Sequence, residues 1–236
     1  MHVIGQCRMS IIWEVAFVLV ACVNAISAHG LESHEQSVLI SVENSEDLSR
    51  YSSVALRPAM QDLTRIGLRD CVEIWEAPDN IILAACKYPN GDTKEDYGLR
   101  IFSIVKGQGG PMIRSKSSGA GDAYSARISE LKRSNGHSDK LVLAEFSAEY
   151  SYGVWVFQRK GDRLRMIGEI DLGLDDGNGG VSSVVPAMRL FSATRGFVVK
   201  FDRDVVRMKS DGTFVNIPSG KIWYVYDGKR LKRAGP

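Results

Sequence analysis

The sequence predicts an all-β protein: antiparallel meanders stacked as a sandwich or as propeller-like blades, with one or two short helices near the N-terminus. Three observations carry that expectation. β-branched and aromatic runs bounded by Gly, Asn and Asp recur along the chain after Arg69, which is the composition of strands separated by turns. One pattern also repeats: an apolar run, a glycine turn, a central strand, a second glycine and a short return strand. In the middle copy the order is 141–146, Tyr152-Gly153, 154–157, Gly161 and 163–167. Upstream it is 81–86, Tyr97-Gly98, 99–105, Gly107 and 112–114, and downstream 197–201, Gly220, 222–226, Gly228 and 231–233. Third, the central strands are apolar on both faces. Side chains alternate along a strand, so Trp155 and Phe157 oppose Val154 and Val156, and Trp223 and Val225 oppose Ile222, Tyr224 and Tyr226. A strand apolar on both sides needs cover on both sides, which in an antiparallel protein means stacked sheets.

Taken in order, the chain begins with a segment that reads as a leader. Residues 1–10 carry Arg8 and no acid, residues 11–23 are apolar apart from Glu14, and small residues follow up to Ala28. That is the layout of a secretory signal peptide over 1–28, whose apolar core is too short to span a bilayer. Cleavage after Ala25 or Ala28 leaves a free chain starting at Ile26 or His29. Leu19-Val20-Ala21-Cys22 offers another route, because it resembles the bacterial lipobox in which the cysteine, here Cys22, is lipidated and becomes the first mature residue. The expected location is extracytoplasmic, periplasmic or secreted, with a lipid anchor on the second route and no transmembrane span in the mature chain.

Residues 29–236 are expected to form one domain, since no linker rich in Pro, Gly or Ser divides them. A strand is expected over 38–42. Leu48, Tyr51, Val54 and Ala55 fall at helical spacing after Asn44-Ser45, a capping sequence, and a second short helix runs from Pro58 through Met60, Leu63 and Ile66 to Gly67. The three meander repeats then occupy about 69–115, 123–171 and 181–235. Pro186 demotes its strand to an edge or a bulge. Asp227-Gly228 reads as a two-residue hairpin turn.

The leader removes Cys7 and Cys22 and leaves Cys71 and Cys86, an even number. Pro78-Asp79 sits at the centre of a turn between them. If Glu76 pairs with Ile81 across it, the register carries Cys71 to the position facing Cys86, and a disulfide is expected in an oxidising compartment.

Composition excludes more chemistry than it suggests. The formal charge of +2 in 236 residues is close to balance and calls for no nucleic-acid partner. His29 and His34 lie in the start of the mature chain and His137 in a polar turn, with no G-x-S-x-G elbow and no CxxC or HExxH pattern, so no catalytic residues are assigned. The glycines of 106–110 precede a strand, not the helix N-terminus that a phosphate loop uses. Asp171, Asp175, Asp176 and Asn178 crowd oxygens onto a glycine-rich loop and are the candidate calcium ligands, although the EF-hand order is missing. No other cofactor is implied. Tyr150, Tyr152, Trp155, Tyr224 and Tyr226 are the candidate aromatic ligand platform. Lys221, Lys229, Arg230, Lys232 and Arg233 charge the last hairpin, in the manner of an edge strand protected against pairing.

These features lead to the expectation of an exported, non-catalytic binding or interaction protein of the cell envelope, inhibitor-like, immunity-like or envelope-associated. Its partner would be another protein or an envelope component. The alternatives are a hydrolase of envelope polymers working through carboxylates such as Glu145, Glu149, Asp175 or Asp176, and a structural lipoprotein.

Overall fold

The computed structural model describes residues 51–59, 62–87, 98–133, 139–148, 152–193 and 195–235, all within one compact unit spanning Glu46–Pro236. The leader with Cys22, the strand expected over 38–42, His137, Glu149 and Tyr150 lie outside the described residues. No helix among those described is long and apolar enough to cross a membrane.

The fold is all-β, in four antiparallel sheets. The first sheet takes β2 (Arg57–Pro58), β3 (Arg69–Glu76), β4 (Ile81–Lys87), β5 (Leu99–Gly107) and β6 (Gly110–Lys116) in sequence order. The second has the order β1-β7-β8-β9-β10, with β1 (Tyr51–Val54) laid beside β7 (Ser125–Arg133), then β8 (Asp139–Ser147), β9 (Tyr152–Lys160) and β10 (Arg163–Ile170). Both are meanders built as the repeat suggested.

The downstream part departs from that plan. Pro186 sits in a 3₁₀ turn, Val185–Ala187, and splits the strand expected around it into β12 (Val181–Ser183) and β13 (Met188–Ala193), which enter different sheets. Proline lacks the N–H a ladder needs, so the strand stops there and the chain changes sheet. The fourth sheet runs β13-β14-β17-β18, with β14 (Gly196–Phe201), β17 (Trp223–Tyr226) and β18 (Leu231–Ala234); these last three are the repeated trio. The hairpin β15 (Val205–Met208) and β16 (Phe214–Ile217) leaves it to join β11 (Gly173–Asp175) and β12 in the third sheet, ordered β12-β11-β15-β16.

Alternation along the strands stacks these sheets in layers. From β4, Ile82, Ala84 and Cys86 face an outer layer with Leu63 and Leu68. Ile81, Leu83 and Ala85 face Val142, Ala144, Phe146 and Phe157 of the second sheet. The opposite face of that sheet, Leu141, Leu143, Val154 and Val156, packs on Phe197, Val199, Tyr224 and Tyr226 from the fourth and Leu174 and Val205 from the third. Strand β9 is therefore covered on both sides. Strand β17 is not: Ile222, Tyr224 and Tyr226 are buried, whereas Trp223 and Val225 are half-buried, so the fourth sheet is a covering layer and not a central one. Its edge strand β18 rests on the second sheet. A Cβ at Gly168, within the bulge of β10, would lie 2.7 Å from the Leu231 carbonyl oxygen, a distance only glycine permits.

Three local expectations need correction. Tyr51–Val54 forms a strand against Glu130–Arg133 and not a helix, because pairing with β7 supplies hydrogen bonds that an isolated helical turn cannot match. The second helix shrinks to the 3₁₀ turn Thr64–Ile66, ended by Gly67 at φ 79°, while Pro58 belongs to β2. The Asp227-Gly228 connection has four residues, since Tyr226 pairs with Leu231; the Asp227 carboxylate accepts from the Lys229 and Arg230 amides at 2.8 and 2.9 Å and takes the place of a tight two-residue turn.

Cys71 and Cys86 are joined by a disulfide, S–S 2.08 Å, by a route that differs from the expected register. The Asn80 amide donates to the Ala77 carbonyl at 3.0 Å, which places Pro78-Asp79 at the centre of the turn, and Asn80 follows at φ 63°. The Ala77 amide donates to the Ile81 carbonyl at 2.8 Å across residues 78–80, so Glu76 pairs with Ile82, one step away from the Glu76–Ile81 pairing. A register shift between Arg69 and Glu73, with Asp70 at φ 47°, slides β3 back and brings the two cysteines together.

Candidate functional site

A cleft of about 640 Å³ opens at the end of the second sheet where β8 finishes and β9 begins. Its walls follow from register. Glu169 on β10 pairs with Trp155 on β9, so both side chains stand on one face. Phe146 pairs with Gly153 and meets the Trp155 ring edge-on, with centroids 4.8 Å apart and an interplanar angle of 64°. Gly153, Ala148, Ala120 and Ala123 leave the space a larger side chain would fill.

The remaining wall is the loop between β6 and β7, anchored to both meanders. The Ala120 amide donates to the Leu99 carbonyl at 2.8 Å and the Tyr124 amide to the Ser147 carbonyl at 3.1 Å. Gly98, at φ 93°, accommodates the Gly121 carbonyl, which a Cβ there would approach to 2.0 Å. This seating presents Asp122 and Tyr124 to the cleft, the latter 63% exposed.

Asp171 closes the third side. Its Oδ1 accepts the Tyr224 hydroxyl proton at 2.5 Å. Burial, then the hydrogen bond and charge of Asp171, push the Tyr224 phenol far above its ordinary range, so Tyr224 stays a neutral donor at any physiological pH. Asp122, Glu169 and Asp171 are the carboxylates among the described lining residues, which include no Lys, Arg or His. Arg207 is near enough to Tyr224 to oppose that upward push but does not line the cleft. Met208, 37% exposed, forms the rim and is shared, with Asp171, by a smaller hollow of about 140 Å³ that Phe214, 45% exposed, also lines.

A second cleft, about 550 Å³, lies against β7, β8, β11 and β12 and is more polar. Glu145 is buried in it and accepts a hydrogen bond from the Ser183 hydroxyl. Ser125 and Ser147 pair with each other, and Glu73, Arg127 and Arg203 complete the lining.

At the other end of β9, charges meet between the first two sheets, with Arg159 and Glu130 buried and Asp79 at the surface. The Arg159 side chain is 1% exposed; its Nε donates to Glu130 Oε2 at 2.6 Å, and its terminal nitrogens reach Asp79 Oδ2 at 2.9 Å. Lys140 Nζ stands 3.2 Å from Glu130 Oε1 and 2.9 Å from Asp79 Oδ2. Burial alone would lower the Arg159 pKa, and Glu130 followed by Asp79 more than reverses that. Burial would likewise raise Asp79, but hydrogen bonds from Arg159 and Lys140 hold its carboxyl below the usual range. Two cations and two carboxylates balance here, which is what burial of charge demands.

The residues singled out from sequence fare unevenly. Of the aromatic platform, Trp155 lines the main cleft. Tyr224 and Tyr226 are buried in the core instead, 2% and 6% exposed, with the Tyr226 hydroxyl donating to the Gly228 carbonyl at 2.9 Å; Tyr150 and the Tyr152 side chain lie outside the described residues. The three aspartates among the calcium candidates accept hydrogen bonds from within the chain. Asp171 serves Tyr224, Asp175 Oδ1 accepts from the Gly177 amide at 2.8 Å, and Asp176 Oδ1 accepts from the Asn178 and Gly180 amides at 2.8 and 2.9 Å. Among the described residues no three His, Cys, Asp or Glu side chains gather as a metal cluster. Of the carboxylates weighed for hydrolysis, Glu145 alone enters a cleft described here, while Asp175 and Asp176 line neither.

Sequence reasoning missed Asp122, Tyr124 and Glu169, which lie on unremarkable turn and strand ends and become neighbours only through the stacking. It also missed Arg159 and Glu130, for which a signal existed: each continues an inward-facing alternation, Trp155-Phe157-Arg159 and Ala126-Ile128-Glu130, and opposite charges at buried positions imply each other. No known protein family, curated protein or solved structure matches this chain.

Proposed function

We propose that this chain is an exported, non-catalytic binding protein of the cell envelope that takes its partner at the cleft bounded by Trp155, Tyr124 and Asp171. The observation that carries the reading is the construction of that cleft. Its aromatic wall is fixed by strand register, its loop is tied by backbone hydrogen bonds to both meanders, and its rim leaves Tyr124 and Met208 exposed. A preformed concave surface with apolar walls and a few placed polar groups is what recognition uses. Acids elsewhere are already engaged: Glu145 by Ser183, Asp176 by its loop amides, Glu130 and Asp79 by Arg159. The disulfide supports the location, since such bonds persist in oxidising compartments.

The test is affinity capture with the mature chain from envelope extract, alongside the chain carrying Tyr124→Ser and Met208→Ser. A partner retained by the first and lost by the second is expected; no partner with either would remove the reading. Intact mass of the exported protein fixes the start at Ile26, His29 or a lipidated Cys22, and incorporation of a palmitate analogue marks the last. One observation favours a second reading, a carboxylate-dependent hydrolase: Glu145 and Glu73 share the polar cleft. Unchanged turnover of any envelope polymer by Glu145→Gln would eliminate it.

A further inference from the structure

We infer that the partner presents a lysine or arginine side chain beside an apolar one, and that the cation enters the Trp155 cleft while the apolar group lies over Met208 and Phe214. This rests on the binding reading above and names the chemistry of what is bound. Three observations on separate elements converge on it.

The first is the ring wall. Trp155, Phe146 and Tyr124 come from β9, β8 and the loop before β7, and all line one cavity. Aromatic faces attract ammonium and guanidinium groups, most strongly where water is displaced. Secondly, the described lining carries Asp122, Glu169 and Asp171 and no cation, in contrast to the balanced network around Arg159 in the same molecule. The Tyr224 hydroxyl donates to Asp171 Oδ1, so no cation among the described lining residues offsets the three acids, and the wall suits a positive ligand. Thirdly, the cleft does not end at its mouth. Met208 and Asp171 also border the hollow lined by Phe214, Val181 and Val206, and Met208 and Phe214 are paired residues on β15 and β16, both well exposed. A free amine would leave this shelf uncovered. A chain segment bearing alternate basic and apolar groups would occupy both, with long-range attraction steering its approach.

The experiment is titration calorimetry of the mature, disulfide-bonded chain with three probes: a short peptide of alternating lysine and leucine, the same peptide with glutamate for lysine, and free lysine methyl ester. The lysine–leucine peptide is expected to bind, more weakly as salt is raised. The glutamate peptide should give no heat, and lysine methyl ester should bind at least about tenfold more weakly than the peptide. Asp122→Asn with Glu169→Gln, both exposed positions, should weaken the peptide about tenfold or more, and Phe214→Ser should weaken the peptide but not the methyl ester. Equal binding of the two peptides, no binding of the basic one, full affinity in the charge-removed variant, or a methyl ester as tight as the peptide would each overturn the inference. Envelope capture separates its failure from that of the reading beneath it: a partner held equally by the native and charge-removed chains leaves a binding protein and discards the cationic segment, whereas no partner for either discards both.

Discussion

The two ends of β9 carry opposite electrostatic arrangements on one face of one strand. Toward Lys160, buried Arg159 and Glu130 meet Lys140 and the more exposed Asp79, each charge met by its opposite within hydrogen-bonding or ion-pair distance. Toward Tyr152, Trp155 borders three carboxylates in an open cleft. The first arrangement binds two sheets, because the Asp79 turn of one is held by the Arg159 and Lys140 side chains of the other. In the second, Asp171 accepts from the Tyr224 hydroxyl, but no cation lines the cleft among the described residues. Charge that the fold neutralises is part of the architecture, and charge that it leaves exposed beside aromatic rings is available to something else.

Four experiments break or sharpen that contrast. Arg159→Met leaves Glu130 buried without its main partner and is expected to destabilise the protein by about 3–5 kcal/mol, read by denaturant unfolding. Adding Glu130→Leu should recover most of the loss; failure to recover would show that the pair does more than neutralise itself. At the open end, Gly98→Ala places a methyl against the Gly121 carbonyl at a positive φ and should cost about 1–3 kcal/mol while weakening peptide binding, because the loop carrying Asp122 loses its seat.

The third experiment uses pH. Asp79 has its folded pKa depressed, so its contribution to stability is present above the unfolded carboxylate value and is lost as pH falls through the folded one. The melting-temperature difference between the native chain and Asp79→Asn should therefore be full at neutral pH and shrink below about pH 4. Smallest of all is the expected effect of Asp122→Asn with Glu169→Gln on unfolding, within about 0.5 kcal/mol. A substantial loss there would mean that the cleft acids also support the fold.

Strands β3 to β6 and β7 to β10 were legible in the sequence because each set is a meander of neighbours, written as apolar runs between turn residues, whereas β1 and β2 read as helical turns. The double covering of β9 was legible for the same reason, through Trp155 and Phe157 against Val154 and Val156. The exchange of β15 and β16 into another sheet was not, since nothing local distinguishes Val205-Val206 from any other short apolar strand. The disulfide was anticipated from Cys71 and Cys86, yet the bulge that aligns them depends on Asp70 adopting an uncommon backbone conformation that no residue type announces. For the cleft, Trp155 could be named from its strand. Asp122 and Glu169 could not, because their proximity is created by packing across more than forty positions of chain, about as distant a relation as hairpin signals never reach.

Strand β1 has a further consequence. By pairing with β7, Tyr51–Val54 closes a chain loop that encloses the whole of the first sheet. The two meanders therefore cannot be separated by cutting between them, as beads on a string could be. Removing everything before β7 would strip the second sheet of its edge strand, and assembly must bring distant segments together before either sheet is complete, a topology that favours slow folding.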